Sequence, residues 1–268
     1  RINLRGFESA NIAVMVNGVP VNDMEWGGVY WSNWAGLSDV TKSMQVQRGL
    51  GASKIASPSV GGSINVVTRS TDAKRGGTVY YGLGNDGYQK QSISFSTGLS
   101  ETGWAATFLG SKTAGNGYIQ GTEFEAYTWF VNLSKVLDNH TFSFTGFGSP
   151  QWHNQRNYNN YLTIAEWQKQ PLGYKYNPAF GFDMNGQAKT SNRNEYHKPQ
   201  LSLNHYWTID ESSSLSSVAY VSIGNGSGYS GQGYTSDDRT AWYGASSGIP
   251  NNLFRLPDGS FDYGAIYA

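Results

Sequence analysis

Two stretches of this 268-residue chain hold the side chains best suited to recognition chemistry. The first, NDMEWGGVYWSNWAG (22–36), sets Trp26, Tyr30, Trp31 and Trp34 among Gly, Asn and Ser with no helical or strand period. Ring faces beside Asn22, Asp23 and Asn33 combine stacking planes with hydrogen-bonding groups, which suits a sugar, a peptide or an aromatic chelate. Trp31 and Trp34, with small polar neighbours, are the expected contacts; the competing role for these rings is to pack one unit of the chain against another. The second stretch, QWHNQRNYNNY (151–161), repeats the style with Trp152, His153, Arg156 and Tyr158.

Other chemistries find little support. Cysteine is absent, which removes disulfides, zinc–thiolate sites and a thiol nucleophile. His140, His153, His197 and His205 show no i, i+4 pairing, so no metal site is expected, and only His153 stands where a ligand role is plausible. No Ser-His-Asp or paired-carboxylate arrangement emerges from the spacing. No catalytic residue and no cofactor are therefore assigned. GLGNDG (82–87) matches G-x-G-x-x-G, but a dinucleotide site needs a helix next, and YQKQSISFSTGL follows with the alternation of a strand. Asn-Asp-Gly there reads as a hairpin tip.

The elements that must carry these residues are β-strands. Lys and Arg together number 19, as do Asp and Glu, so no field points to nucleic acid. No run of about 18 apolar residues encodes a membrane helix. Aromatics at 15% and 34 glycines beside only 14% charged residues suit a transmembrane β-barrel, whose alternation keeps hydropathy modest, or a soluble β-rich protein.

From residue 77 the alternation is explicit: 78–84, 88–99, 103–113, 124–137, 140–148, 199–209 and 214–224. Ile93 and Phe95 oppose Ser92, Ser94 and Ser96; Tyr127, Trp129, Val131 and Leu133 oppose Thr128, Asn132 and Ser134; Leu201 and Leu203 oppose Ser202 and Asn204. Connections at 100–103, 138–140 and 210–213 are short and polar; the intervening ones are 85–87, itself short, and the long 114–123, 149–198 and the chain after 225. Short turns at one end and long loops at the other is the outer-membrane-barrel layout, with Trp104 and Trp207 near the short-turn interface. A soluble sandwich or propeller would alternate equally but leave that asymmetry unexplained. Residues 1–70 differ, with a hairpin at 12–21, a short helix or turn at 35–43 and strands at 43–49 and 61–70.

LRGF (4–7), VMVNGVPV (14–21) and VQRGLGASKIASPSVGGSINVVT (46–68), in that order and spacing, resemble the plug domain of TonB-dependent outer-membrane receptors. Asn17 departs from the family's usual Asp and Gln45 from a frequent Glu. The resemblance implies an all-β membrane fold: part of a plugged transmembrane β-barrel, with the C-terminal part of a small mixed plug domain at 1–70 and antiparallel strands and external loops of an incomplete barrel at 71–268. The family's barrel has twenty-two strands, and its TonB box is not among these residues. Seven strands, an odd number, would leave no bore for a plug, so a fragment is expected.

The implied function is active transport of a ligand across the bacterial outer membrane, driven through TonB and involving no covalent chemistry. The ligand, an oligosaccharide, peptide or metal chelate, would bind between plug apex and external loops. Outer-membrane lipid and a surface lipoprotein are the further partners implied, and nucleic acid is not. The alternative is a non-transporting β-rich module that binds glycan or peptide. Arg5 and Arg48 are expected to meet acidic residues of the barrel wall. On the outer face Val131→Arg is expected to harm the receptor, and Asn132→Arg on the inner face to be better tolerated.

Overall fold

A computed structural model describes residues 2–49, 59–156, 163–229 and 254–267. Two sheets dominate. The smaller is mixed and orders its strands β2-β1-β4-β3, formed by β1 (Ile12–Val16), β2 (Val19–Pro20), β3 (Thr41–Arg48) and β4 (Gly62–Thr68). Every residue of β1 is buried, as a continuous apolar run requires. β1 and β2 are joined by Asn17-Gly18, both at positive φ (52° and 81°), the geometry that favours Asn-Gly in a two-residue hairpin. The Asn17 amide also ties this turn to β4: its Nδ2 donates to Thr68 Oγ1 at 2.8 Å and its Oδ1 accepts from Thr68 N at 2.9 Å. An aspartate could not donate the first of these bonds. Gly62, at φ 123°, lies so close to Gln47 that a Cβ would collide with its carbonyl oxygen.

The larger sheet is an antiparallel meander. β5 (Gly76–Leu83), β6 (Gln89–Ser96), β7 (Trp104–Gly115), β8 (Phe124–Leu137) and β9 (His140–Gly148) pair in sequence order. Skipping ahead, β14 (Gln200–Thr208) pairs with β9, and β15 (Ser214–Ser222) with β14. All seven expected strands are present. Among the described residues the sheet does not close: β5 pairs only with β6, and β15 only with β14. GLGNDG is a hairpin tip between β5 and β6, with Asp86 and Gly87 at positive φ.

The long connections hold more strand than the sequence suggests. β10 (Gln151–Asn154), β13 (Arg193–His197) and β16 (Asn225–Tyr229) carry the ladder β8-β10-β13-β16 past the long-loop end. Pro150 separates β9 from β10, and Pro199 separates β13 from β14. Proline donates no ladder bond, so the sheet breaks there and resumes. Beyond lies a small sheet of β11 (Phe180–Phe182), β12 (Ala188–Thr190) and β17 (Phe261–Asp262), in which residues 254–263 pack on 176–182. Ile164–Lys169 forms a short helix, started by a Thr163–Glu166 capping box.

The two faces of the meander invert soluble-protein polarity. Ile93, Phe95, Phe108, Val131, Leu133 and Leu203 are exposed on the outer face. Thr107, Thr128, Asn132, Ser134, Thr145 and Asn204 are buried on the inner face, against which the small mixed sheet docks. Thr128 Oγ1 donates to Ala35 O at 2.8 Å, Asn204 Nδ2 donates to Asn17 O at 3.0 Å, and the Ser70 and Ser134 hydroxyls meet at 3.1 Å. Asn132 is a hub, donating to Ser143 Oγ and Thr145 Oγ1 and accepting from Ser134 Oγ. Near the short turns, Trp104 lies under Lys135, and His140, Phe142, His205 and Trp207 band the outer face. His140 Nδ1 and His205 Nε2 share a hydrogen bond at 2.9 Å.

Candidate functional site

The aromatic arc and the upper wall meet where the small sheet touches the meander. Asn22 organises the arc: its Oδ1 accepts from Val14 N at 2.7 Å, and its Nδ2 donates to the carbonyls of Ile12 and Gly27. Asp23 Oδ1 caps the next turn by accepting from the backbone of Glu25 and Trp26. Two of the three polar groups anticipated as ligand contacts, Asn22 and Asp23, are thus spent on the loop's own backbone. Trp26 and Tyr30 pack edge to face with centroids 5.3 Å apart, and Tyr30 is 53% exposed. Trp31 and Trp34 lie on one 3₁₀ turn (Trp31–Trp34).

Trp34 departs from its expected role. It is 6% exposed, belongs to the core with Val14, Ile64 and Phe130, and stacks on Phe147 of β9 at 5.5 Å. It packs the small sheet onto the wall, because Phe130 and Phe147 give the inner face an apolar patch that a buried ring can cover. Trp31 leans half-buried against the same core. A few residues on, Asp39 receives Lys90 Nζ of β6 at 2.6 Å, with both side chains under one-fifth exposed.

On the upper wall the strand period separates neighbours. Gln151 and His153 pair in register with Ala126 and Phe124 and share their inward side, while Trp152 pairs with Glu125 and carries the Arg193 guanidinium 4.2 Å over its ring. His153 Nδ1 lies 2.8 Å from Gln151 Oε1, an acceptor, so Nδ1 carries the proton and Nε2 is left to accept. Burial pushes the His153 imidazole below its ordinary pKa and keeps it neutral. Arg156 does not reach this site. It covers Trp167 at 4.6 Å and donates to the carbonyls of Tyr174 and Tyr176, fastening the long loop. Tyr158 lies outside the described residues. Arg5 and Arg48 are exposed, and neither forms an ion pair among the described residues. Arg48 ends β3, the outer strand of its sheet, and forms no ion pair with the described wall strands. The more buried charged bond between the two units runs the other way, from wall Lys90 to Asp39.

Between the end of the arc and the upper wall lies a cavity of about 390 Å³, within the size range of small-molecule sites. Ser32 and Gly36 border it on one side; Tyr88, Phe124, Gln151 and His153 border it on the other. Gln151 is 8% exposed and its Nε2 has no hydrogen-bond partner among the described residues. Of the sequence candidates the cavity collects Trp152 and His153 and omits Trp31 and Trp34. Gln151, Lys90 and Tyr88 were missed. For Gln151 the signal was its place two residues before His153, which puts both on one face of a strand.

No family model matches the chain. Over 110 residues it is 32% identical to the vitamin B12 transporter BtuB of Vibrio cholerae serotype O1, an alignment covering 41% of this chain and 18% of that protein. The structure of the ferric citrate transporter FecA in unliganded form superposes with a TM-score of 0.63 at 17% identity, covering 86% of this chain and 34% of that one. The open form of the ferric-catecholate import receptor Fiu from E. coli K12 gives 0.61 at 12% identity, over 84% and 33% of the two chains. The chain thus spans about a third or less of each of these proteins. The fold is that of a plugged outer-membrane β-barrel, represented by part of its length. Over the aligned residues the chain is similar to TonB-dependent receptors, and it belongs to the outer membrane. Its relatives are transporters and receptors rather than enzymes.

Proposed function

We propose that the chain is the ligand-gathering part of an active transporter, with residues 1–70 the C-terminal part of the plug and 71–268 the first wall strands with their external loops. The ligand enters from the long-loop end and binds where Ser32 and Gly36, at the end of the aromatic arc, face β10. TonB then draws on the plug, and the ligand passes inward. One observation carries this reading: a ligand-sized cavity with an orphaned donor sits on the seam between the two units rather than inside either. A site on a seam senses relative motion of its two sides, which coupling of binding to plug displacement requires.

The lower seam supports the same reading. Its inner-wall groups are hydroxyls and amides, and a cavity of about 270 Å³ lined by Thr68, Ser70, Ser143 and Asn204 separates the units there. Polar surfaces with room for water exchange partners readily, whereas an apolar seam would resist sliding. The test is genetic. Deleting the full-length receptor gene and deleting TonB should produce the same growth defect on one particular nutrient source. A receptor deletion without any nutrient-specific defect would overturn transport.

A further inference from the structure

From the chemistry of the seam cavity we infer the class of ligand it accepts: an uncharged, hydroxyl-bearing group such as a sugar ring, held by Gln151 as donor and His153 as acceptor. The inference rests on the transport reading for where ligand binds, and adds what binds.

Hydrogen-bonding capacity comes first. Gln151 Oε1 is occupied by His153, which leaves Nε2 buried, unpartnered and at the cavity border. Buried polar groups are rarely left without a partner, so an orphan at a cavity wall marks where a ligand acceptor belongs. The same bond fixes the His153 tautomer with its Nε2 lone pair free. One donor and one acceptor two residues apart on one strand face match a hydroxyl, which both donates and accepts. Tyr88, Phe124 and Trp152 supply rings around them, the apolar component that a sugar's C–H face stacks upon.

Charge decides against the main competitor. A ferric chelate of citrate or catecholate type is anionic and needs cations to spare. Among the described residues each charge near the cavity is already matched. Lys90 is held by Asp39 at 2.6 Å, and Glu125 by Lys112 at 2.7 Å. Arg193 is committed to the Trp152 ring and Glu195, and Arg156 to Trp167 and two carbonyls. His153, neutral by burial, adds no positive charge. An arriving anion would have to break an existing pair, whereas a neutral polyol need break none.

The probes are maltotriose and xylotriose as neutral sugars and gallium citrate as a diamagnetic anionic chelate, each mixed at millimolar concentration with detergent-solubilised full-length receptor. The readout is saturation-transfer NMR. At least one sugar should receive saturation, with binding weakened about tenfold or more in Q151A and in H153A, the scale of one lost buried hydrogen bond. Gallium citrate should receive none that depends on these residues. Near-native melting temperatures of both variants would show that any loss is local, and Q151E, which removes the donor at unchanged size, should weaken sugar binding as Q151A does. Silence from both sugars, equal binding by Q151A, or citrate binding that requires Gln151 would overturn the inference. The growth test above reports transport whatever the ligand, so a receptor that passes it and fails here loses only the ligand class.

Discussion

The small mixed sheet and the meander solve opposite solvent problems with similar strands. In the small sheet β1 buries every side chain, and Ile12, Val14, Val16, Ile64 and Val66 make an ordinary apolar core. In the meander the apolar residues face out and the polar ones in. The contrast shows that polarity along a strand reports what lies on each side of it, lipid or protein, and not whether the strand belongs to a core. It also shows where the two units are joined. Only Leu109, Phe130 and Phe147 bring the wall into the apolar core, and Trp34 covers the last of them. Below that patch the contact is polar. The units are fixed by a small apolar rivet toward the long-loop end and meet elsewhere through hydroxyls, amides and the Lys90–Asp39 pair.

The sharpest way to break this picture is to remove the rivet. Trp34→Ala or Phe147→Ala should cost about 3–5 kcal/mol, as deletion of a buried aromatic does. Phe144→Ala, on the exposed outer side of the same strand, should cost much less. Urea unfolding of the refolded receptor measures both, and equal losses would refute the asymmetry.

Inverting the outer face should come next. Val131→Arg places a charge toward lipid and should cost about 2–4 kcal/mol at mid-membrane, read as reduced folded receptor in outer-membrane fractions. The inner partner cannot serve as the tolerant control the alternation suggests. Asn132 is 1% exposed and holds three hydroxyls, so Asn132→Arg should fail as well, for lack of space and lost hydrogen bonds. Ser92→Arg, inward but only half-buried, replaces it as the tolerated change.

A smaller effect is expected at the largely buried charged link across the seam, Lys90 to Asp39. Lys90→Met leaves the Asp39 carboxylate poorly solvated and should cost about 2–3 kcal/mol. Adding Asp39→Leu should recover most of it, because the loss lies mainly in the stranded charge. A double variant as unstable as Lys90→Met would place the cost in packing instead.

The mildest probe is pH. Burial lowers the His153 pKa, so the fold favours the neutral ring. The unfolded chain binds that proton more readily, near the ordinary value of about 6.5. This stabilising contribution is therefore whole above that pH and falls away as the pH drops below it. His153→Gln should flatten that part of the melting-temperature profile between pH 7 and 5. An unchanged profile would show that His153 is not the group titrating.

Much of the architecture was legible because membrane strands are written in period two. Residues 124–137 and 140–148 alternate so regularly that both strand boundaries agree with the structure. The strands beyond the wall were not legible, because Pro150 and Pro199 interrupt the pattern and β10 and β13 mix amides, charges and rings on both faces. The site divides in the same way. Composition singled out the two aromatic-amide stretches as candidates, but Gln151, which period two sets on the side of His153, was missed.

What the linear order determined by itself was therefore local: strand, turn, the face each side chain shares with its neighbours, and the plug-like motifs of the first seventy residues. Which aromatic is core and which is free was settled only in three dimensions. Trp31 and Trp34 stand three residues apart in one Gly-, Ser- and Asn-rich stretch, and only the docking of their turn on Phe130 and Phe147 buries the second and leaves the first half-open. The same holds for Lys90 and Asp39, which are unremarkable surface charges until docking sets them 2.6 Å apart. Burial and pairing depend on residues about fifty to a hundred positions away, and no local period carries that information.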